Sequence, residues 1–216
     1  MDARTFIIFL LNAPIIVICA YASINFFKLK NVLLGLEWAV IFVSCCFFQF
    51  WTIFADVHGP LWPPITFTDA FTRGFGLPVI GVLGFMTLTH RIKPPIRADV
   101  FIVTACVLAT LLILSHHFLP YREYFLLFTW TVLTLFLYYF SIILWRYGVK
   151  DHSVALFLTA SAAEVSAVMQ DVASIPGNDT NVFLNLWVIA LVTWGALFLE
   201  MFYAYRALHR VIAERR

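Results

Sequence analysis

The chain has 216 residues, of which 62% are hydrophobic and only 12% carry a charge, and its formal net charge is +2. A soluble domain usually carries about 25% charged residues, and a single soluble core of this length cannot cover so much apolar surface. The composition therefore excludes an ordinary soluble protein, gives no support to nucleic-acid binding, and predicts an all-α integral membrane protein.

Seven apolar stretches are long enough to cross a bilayer, which takes about 20 apolar residues in a helix. The predicted spans are 5–26, 32–55, 67–90, 98–118, 123–146, 153–174 and 181–205. Polar or proline-containing segments separate them, and together they predict a single seven-helix transmembrane domain over 1–216. A three-plus-one-plus-three arrangement fits this count, although 5–90 and 123–205 do not resemble one another.

The basic residues predict the orientation of the bundle. Most of the 14 lysines and arginines lie in the first, third and fifth loops and in the C-terminal tail. Because short cytoplasmic loops are enriched in Lys and Arg, this pattern places the N-terminus outside and the C-terminus in the cytoplasm. The expected location is a bacterial inner membrane or an organellar membrane, with a multi-pass topology.

The first two spans each carry an unusual polar or helix-bending residue. Pro14 removes a backbone donor and predicts a bend in span one, with Asn12 close enough to offer a polar contact to the bundle interior. Glu37 begins span two on the inner side, where Lys30 is a natural partner. We nevertheless include Glu37 as the inner end of a predicted series of acids through the membrane.

Span three contains the stretch TDAFTRGFGLPVIGVLG. Asp69 and Arg73 are four residues apart, which is the spacing of a helical ion pair. Gly76 and Pro78 predict a kinked or unwound segment, and broken helices at membrane depth often line binding sites. Arg73 is expected to pair with an acid or with an anionic ligand.

Aromatic and histidine residues gather at the predicted membrane boundaries. Trp51, Trp62 and Trp187 fall near the outer boundary, and Trp38, Trp145, Tyr147, Tyr203 and Tyr205 near the inner one, which is typical of interfacial belts. An outer metal site remains open, built from imidazole and carboxylate groups. Its candidate ligands are Asp56, His58, His116, His117 and Glu123. Their spacing matches no metal motif, so no metal or cofactor is expected.

Span six carries the strongest candidate site. Glu164 falls near the middle of this span, and Asp171 lies seven residues later on the same helical face. An ionised acid at that depth costs a few kcal/mol or more and is a functional candidate by default. Gln170 adds a polar group beside Asp171. Small residues in this span, including Ala163 and Ala167, predict close packing inside the bundle.

Span seven and the tail carry the last predicted features. Glu200 lies in the inner part of span seven, where it extends the series of acids or pairs with Arg206. The following segment, YAYRALHRVIAERR, is expected to continue the helix as a basic extension. Such an extension suits a sensor that signals to a cytoplasmic partner, and it equally satisfies the charge bias of inner loops.

The leading functional hypothesis is a transporter or channel for a small solute or cation, coupled to protons through an intramembrane carboxylate. Two alternatives remain open: a non-catalytic structural subunit of a larger membrane complex, such as a respiratory complex, and a seven-helix sensor. An enzyme is disfavoured because no nucleophile–base or metal motif is recognisable. The expected partners are the lipid bilayer, the solute, and neighbouring membrane proteins or further copies of the chain.

Overall fold

A computed structural model describes residues 3–54, 59–90, 95–172 and 181–215. Within these ranges the chain is helical, has no strand, and forms seven helices that are long and apolar enough to cross a membrane. They are α1 (Ala3–Lys28), α2 (Val32–Phe54), α3 (Trp62–Thr89), α4 (Ile96–Ile113), α5 (Arg122–Arg146), α6 (Lys150–Asp171) and α7 (Leu186–Glu214).

Three helix boundaries differ by five residues from the predicted spans. Helix α3 begins at Trp62, before the predicted 67, because Pro63 and Pro64 occupy its first turn, where a missing backbone donor costs nothing. Helix α4 ends at Ile113, and residues up to 118 form turns. Helix α7 begins at Leu186, where the Asn185 side chain accepts a hydrogen bond from the Val188 amide at 3.1 Å.

The middle of α3 is a π-helix over Thr72–Gly81, flanked by α-helical segments. At Gly76 and Pro78, where the sequence predicts a kinked or unwound segment, the described helix is continuous but π-helical, and its wider turns accommodate the proline. Pro14 likewise lies inside a continuous α1. A π-helical stretch of this length is unusual, and π-turns are frequent at functional sites.

Six of the seven described helices form a closed ring in the order α1, α2, α3, α5, α6, α7, and α7 packs back on α1. Helix α4 lies outside the ring and packs chiefly against α3. Its outward side chains are strongly exposed, with Phe101 at 73% and Val100 at 61%. Such apolar exposure suits a face covered by lipid tails.

Two pairs of ring neighbours run in the same direction. Along α3 and α5, Gly74 faces Leu126 and Phe85 contacts Phe140 further on, so both residue numbers increase together. Along α1 and α7, Ile15 faces Gly195 and Phe26 contacts Tyr205. The contacts α3–α5 and α1–α7 are therefore parallel.

The two ends of the ring are packed differently. We call the end that holds Trp51, Trp62 and Trp187 the outer end, in keeping with the predicted orientation, and the opposite end the inner end. The inner end is filled by buried rings that meet edge to face, among them Phe26 and Trp38 with centroids 5.1 Å apart. Trp38 and Tyr205, which the sequence assigns to the interfacial belt, are buried in this core and do not face the surroundings of the bundle.

Candidate functional site

A cavity of about 490 Å³ lies inside the ring at its outer end, and every one of the six ring helices contributes to its wall. We call it the outer cavity. The surrounding helices are apolar, so each polar side chain in the wall is a departure from the general composition. Of the predicted site residues, the cavity brings together Asn12, Asp69, Arg73, Gln170 and Asp171.

Tryptophans form much of the wall. Five of the seven tryptophans in the chain line the outer cavity, namely Trp51, Trp62, Trp130, Trp187 and Trp194. Their rings are tilted against one another, with centroids 5.9 Å apart for Trp51 and Trp62 and 5.6 Å apart for Trp130 and Trp194. The indole N–H groups of Trp51, Trp130 and Trp194 are buried without a hydrogen-bond acceptor. These donors distinguish the wall from a purely apolar surface.

An ionic centre lies in the same wall. Arg73 in the π-helical part of α3 hydrogen-bonds Asp171 at the end of α6, and both side chains are only 4% exposed. The second guanidinium nitrogen is 3.8 Å from Asp69, one helical turn earlier on α3, and this carboxylate is 41% exposed. The guanidinium also lies 5.9 Å from the centroid of the Trp194 ring, within the range of a cation–π contact.

Because Arg73 and Asp171 are both buried, each charge needs the other to be stable in the interior. A lone charge in a low-dielectric interior is strongly destabilising, whereas a paired and hydrogen-bonded one is tolerated. Thr129 on α5 adds a hydrogen bond to the Arg73 carbonyl at 3.1 Å, which fixes the π-helical backbone at this point. The guanidinium Nε is left without a partner among the described residues. One N–H group of the charged Arg73 side chain is therefore not hydrogen-bonded by any described residue.

Amide and hydroxyl groups complete the polar part of the wall. Asn12 donates from Nδ2 to the Cys45 carbonyl at 2.9 Å and to Gln49 at 2.6 Å, which ties α1 to α2. Its Oδ1 has no donor, and neither does the Oε1 of Gln170. The Thr72 hydroxyl is also unpaired. The cavity thus offers both acceptors and donors beside its rings.

The charges that line the outer cavity do not cancel. Among the described residues, the acids are Asp69, Glu123 and Asp171, and the bases are Arg73 and Arg122, which leaves one formal negative charge. This excess lies beside aromatic faces, whose negative quadrupole attracts cations. The wall therefore combines aromatic faces with a small excess of negative charge.

The structure does not place Glu164 in the wall of the outer cavity. Its two carboxylate oxygens accept hydrogen bonds from hydroxyls on α5, Thr131 at 2.7 Å and Thr134 at 2.8 Å. The side chain is half-buried between α5 and α6. Asp171, on the same helix, faces Arg73 instead, so the two acids have separate surroundings.

Glu37 is more deeply buried than its position in the sequence indicates. It is the sixth residue of α2, yet its side chain is 0% exposed, and both oxygens lack a hydrogen-bond partner. The expected pairing with Lys30 is wrong, because both Glu37 oxygens are buried without a partner among the described residues. Asn31, just before the helix, is buried and donates to the Gly84 carbonyl at 2.8 Å and to the Tyr205 hydroxyl at 3.0 Å.

The remaining predicted residues lie elsewhere. Glu200 accepts from or donates to His152 at 2.7 Å near the inner end, so its partner is a histidine rather than Arg206. Asp56 and His58, two of the candidate ligands considered for an outer metal site, lie outside the described residues. The basic tail is helical to Glu214, and Arg215 packs on Tyr147 with 5.0 Å between the guanidinium carbon and the ring centroid.

The chain matches no protein-family model, no curated protein and no solved structure. The site must therefore be interpreted from its own chemistry. The sequence missed the gathering of five tryptophans around one space, because their positions also fit an interfacial belt. The sequence also did not predict that Glu37 is buried without a hydrogen-bond partner, because the position of a residue in a span does not show which neighbouring segments cover it.

Proposed function

We propose that this protein is an integral membrane transporter that binds a small organic cation with an apolar body in the outer cavity. The observation that carries the proposal is a wall of five tryptophans next to an excess of negative charge. Aromatic faces and carboxylates together are the usual means of recognising substituted ammonium groups. A cavity of about 490 Å³ has the size of a small-molecule site.

Named residues have distinct roles in this proposal. Asp69 supplies the accessible negative charge, because it is the partly exposed acid of the ionic centre. Arg73 and Asp171 hold the wall together and set its local charge. The five tryptophan rings supply the aromatic faces that contact the guest. Glu164 and Glu200 lie outside the cavity wall and take no part in cation binding in this proposal, and their part in a later passage of protons or cations through the bundle stays a prediction.

The six helices enclose the outer cavity on all sides. This enclosure favours movement of a guest along the bundle axis rather than along the protein surface. Six helices surround the site, and apolar rings fill the inner end. Passage to the inner side therefore requires the inner rings to separate. This arrangement favours a carrier that changes conformation over an open channel.

The test uses a matched pair of probes with the purified protein. Benzyltrimethylammonium is permanently charged, and neopentylbenzene has the same shape without the charge. We expect the cation to quench tryptophan fluorescence saturably and to bind more tightly than the neutral probe, and we expect proteoliposomes to accumulate the labelled cation. Equal binding of the two probes, or no binding, would contradict an organic-cation site.

A variant pair locates the site. Asp69→Asn removes one partly exposed charge from the wall, and we expect it to weaken cation affinity by about two- to fivefold. Asp151→Asn removes an exposed acid from the first turn of α6 at the opposite end, and we expect no change. Similar effects from both variants would show that only the overall charge of the protein matters. Co-purification of a stable multi-protein complex without cation binding would favour the subunit alternative.

A further inference from the structure

Glu37 is a second acid that the proposed site does not use directly. The carboxyl group lies against the backbone of Gly76 in the π-helical part of α3, so closely that a methyl group at position 76 would overlap it. It is completely buried, and no described residue donates a hydrogen bond to either oxygen. An ionised carboxylate in such surroundings is strongly unfavourable, so the neutral acid is its stable form when the cavity holds no cation.

The groups around Glu37 offer it no counter-charge. The titratable groups that interact electrostatically with Glu37 are the thiol of Cys19 on α1 and the thiol of Cys106 on α4, and neither is a cation. From α3 the polar neighbour is the Thr72 hydroxyl. No salt bridge to Glu37 forms among the described residues, and the adjacent cation, Arg73, is engaged by Asp171 and Asp69.

Glu37 lies directly beneath the outer cavity. Ile41, one helical turn further along α2, lines the cavity, and so does Thr72. One turn of helix is about 5 Å along the axis. Thr72 therefore lies both in the cavity wall and beside Glu37, and its hydroxyl is the polar group between them.

We infer that Glu37 is a proton-binding site linked to the outer cavity, and that binding of an organic cation there releases its proton. The inference rests on the proposed function. A positive charge at the cavity floor supplies the counter-charge that Glu37 lacks, and the low dielectric of the interior strengthens that attraction. The residue then changes from the neutral acid to the carboxylate as the cation arrives.

The exchange balances in charge and atoms. The O–H bond of the Glu37 carboxyl breaks, the electron pair stays on the carboxylate oxygen, and the proton leaves through the cavity to the outer solution. One cation enters for one proton released, so the charge inside the ring is unchanged. Such an exchange is the chemistry of a cation–proton antiporter.

The experiment counts protons during binding. The purified protein is titrated with benzyltrimethylammonium by calorimetry at near-neutral pH, in buffers with different enthalpies of ionisation. The probe is a quaternary ammonium and has no proton to lose, so any proton comes from the protein. We expect the wild type to release about one proton per cation bound, and the affinity to rise about tenfold for each pH unit while Glu37 exchanges its proton. Neopentylbenzene should release none.

Two matched variants assign the proton to its residue. Glu37→Gln mimics the neutral acid, and we expect it to bind the cation with no proton release and with affinity independent of pH. Glu164→Gln changes the other intramembrane glutamate, whose oxygens are already hydrogen-bonded by threonines, and should behave as the wild type. Proton release that persists in Glu37→Gln, or disappears in Glu164→Gln, overturns the assignment.

The wild-type measurement separates the two proposals without depending on any variant. Cation binding with no proton release overturns the role of Glu37 alone. Absence of cation binding overturns the proposed function and, with it, the inference about Glu37.

Discussion

At the inner end of the ring, Phe85 meets Phe140 and Tyr205 edge to face, with ring centroids 4.9 Å and 5.6 Å apart. At the outer end, five tryptophans of comparable bulk surround a space of about 490 Å³. The two ends use the same class of side chain, but the inner rings pack against one another, whereas the outer rings surround an unfilled space that polar and charged side chains also line. A high aromatic content alone therefore does not identify a binding site. Aromatic side chains that surround an unfilled space together with polar groups do identify a candidate site.

The buried Arg73–Asp171 pair closes the wall of the outer cavity. Breaking this pair should have the largest effect on stability. Arg73→Ala leaves the 4%-exposed Asp171 without a partner, so we expect the free energy of unfolding in detergent to fall by about 3–5 kcal/mol. Cation binding should be lost as well. The measurement is denaturant unfolding followed by circular dichroism.

A double variant controls for the loss of the charge itself. Arg73→Met combined with Asp171→Leu removes both charges and replaces them with apolar groups, which should recover most of the lost stability. Cation binding should not recover. If the losses of unfolding free energy caused by the two single substitutions simply add in the double variant, the broken ion pair is not the reason for the destabilisation.

Shortening an inner ring should separate stability from binding. Phe26 is fully buried against Trp38, Phe202 and Tyr205, and Phe26→Ala should lower the free energy of unfolding by about 3 kcal/mol. The affinity for benzyltrimethylammonium should stay within twofold of wild type. Phe101→Ala, at a 73%-exposed position on α4, serves as the control and should change stability by less than about 0.5 kcal/mol. A large loss of affinity in Phe26→Ala would show that the two ends are not independent.

A methyl group at Gly76 should disturb the contact between the π-helix and Glu37. We expect Gly76→Ala to lower the free energy of unfolding by about 1–3 kcal/mol, because the added carbon overlaps the carboxyl group of the fully buried Glu37 side chain. Gly81→Ala lies in the same π-helix, and its added carbon would meet Leu77 at an ordinary 3.5 Å. Thermal unfolding of the two variants should therefore differ, and equal melting temperatures would argue against this close contact.

Removing one outer tryptophan should affect binding more than stability. Trp187 lines the cavity beside Trp51, and we expect Trp187→Leu to weaken benzyltrimethylammonium binding by about 2- to 30-fold through the lost cation–π contact. Binding is measured by calorimetry, since the variant also changes the fluorescence. Trp145→Leu, at a 51%-exposed position near the inner end, provides the matched control. Equal losses of affinity would mean that the cation does not contact the outer rings.

The sequence predicts the seven helices well because hydropathy over about 20 residues is a strong local signal. Helix ends are less predictable, as Pro63 and Pro64 show, since a proline can end one element or begin another. The approach of Arg73 to Asp171 follows from charge complementarity, but only the fold shows that α3 and α6 meet at that level. Burial of Glu37 depends on which segments cover the start of α2, and no local pattern contains that information.

The peripheral position of α4 explains why the described residues form an odd number of long apolar helices. Helices α1–α3 and α5–α7 form two halves of the ring, and the parallel contacts α1–α7 and α3–α5 join them. A chain that leaves α3 at one end must cross once more before a second half can start from the same end as the first. Helix α4 makes that crossover, and without it α5 would run upside down, with Thr129 far from the Arg73 carbonyl that it now reaches.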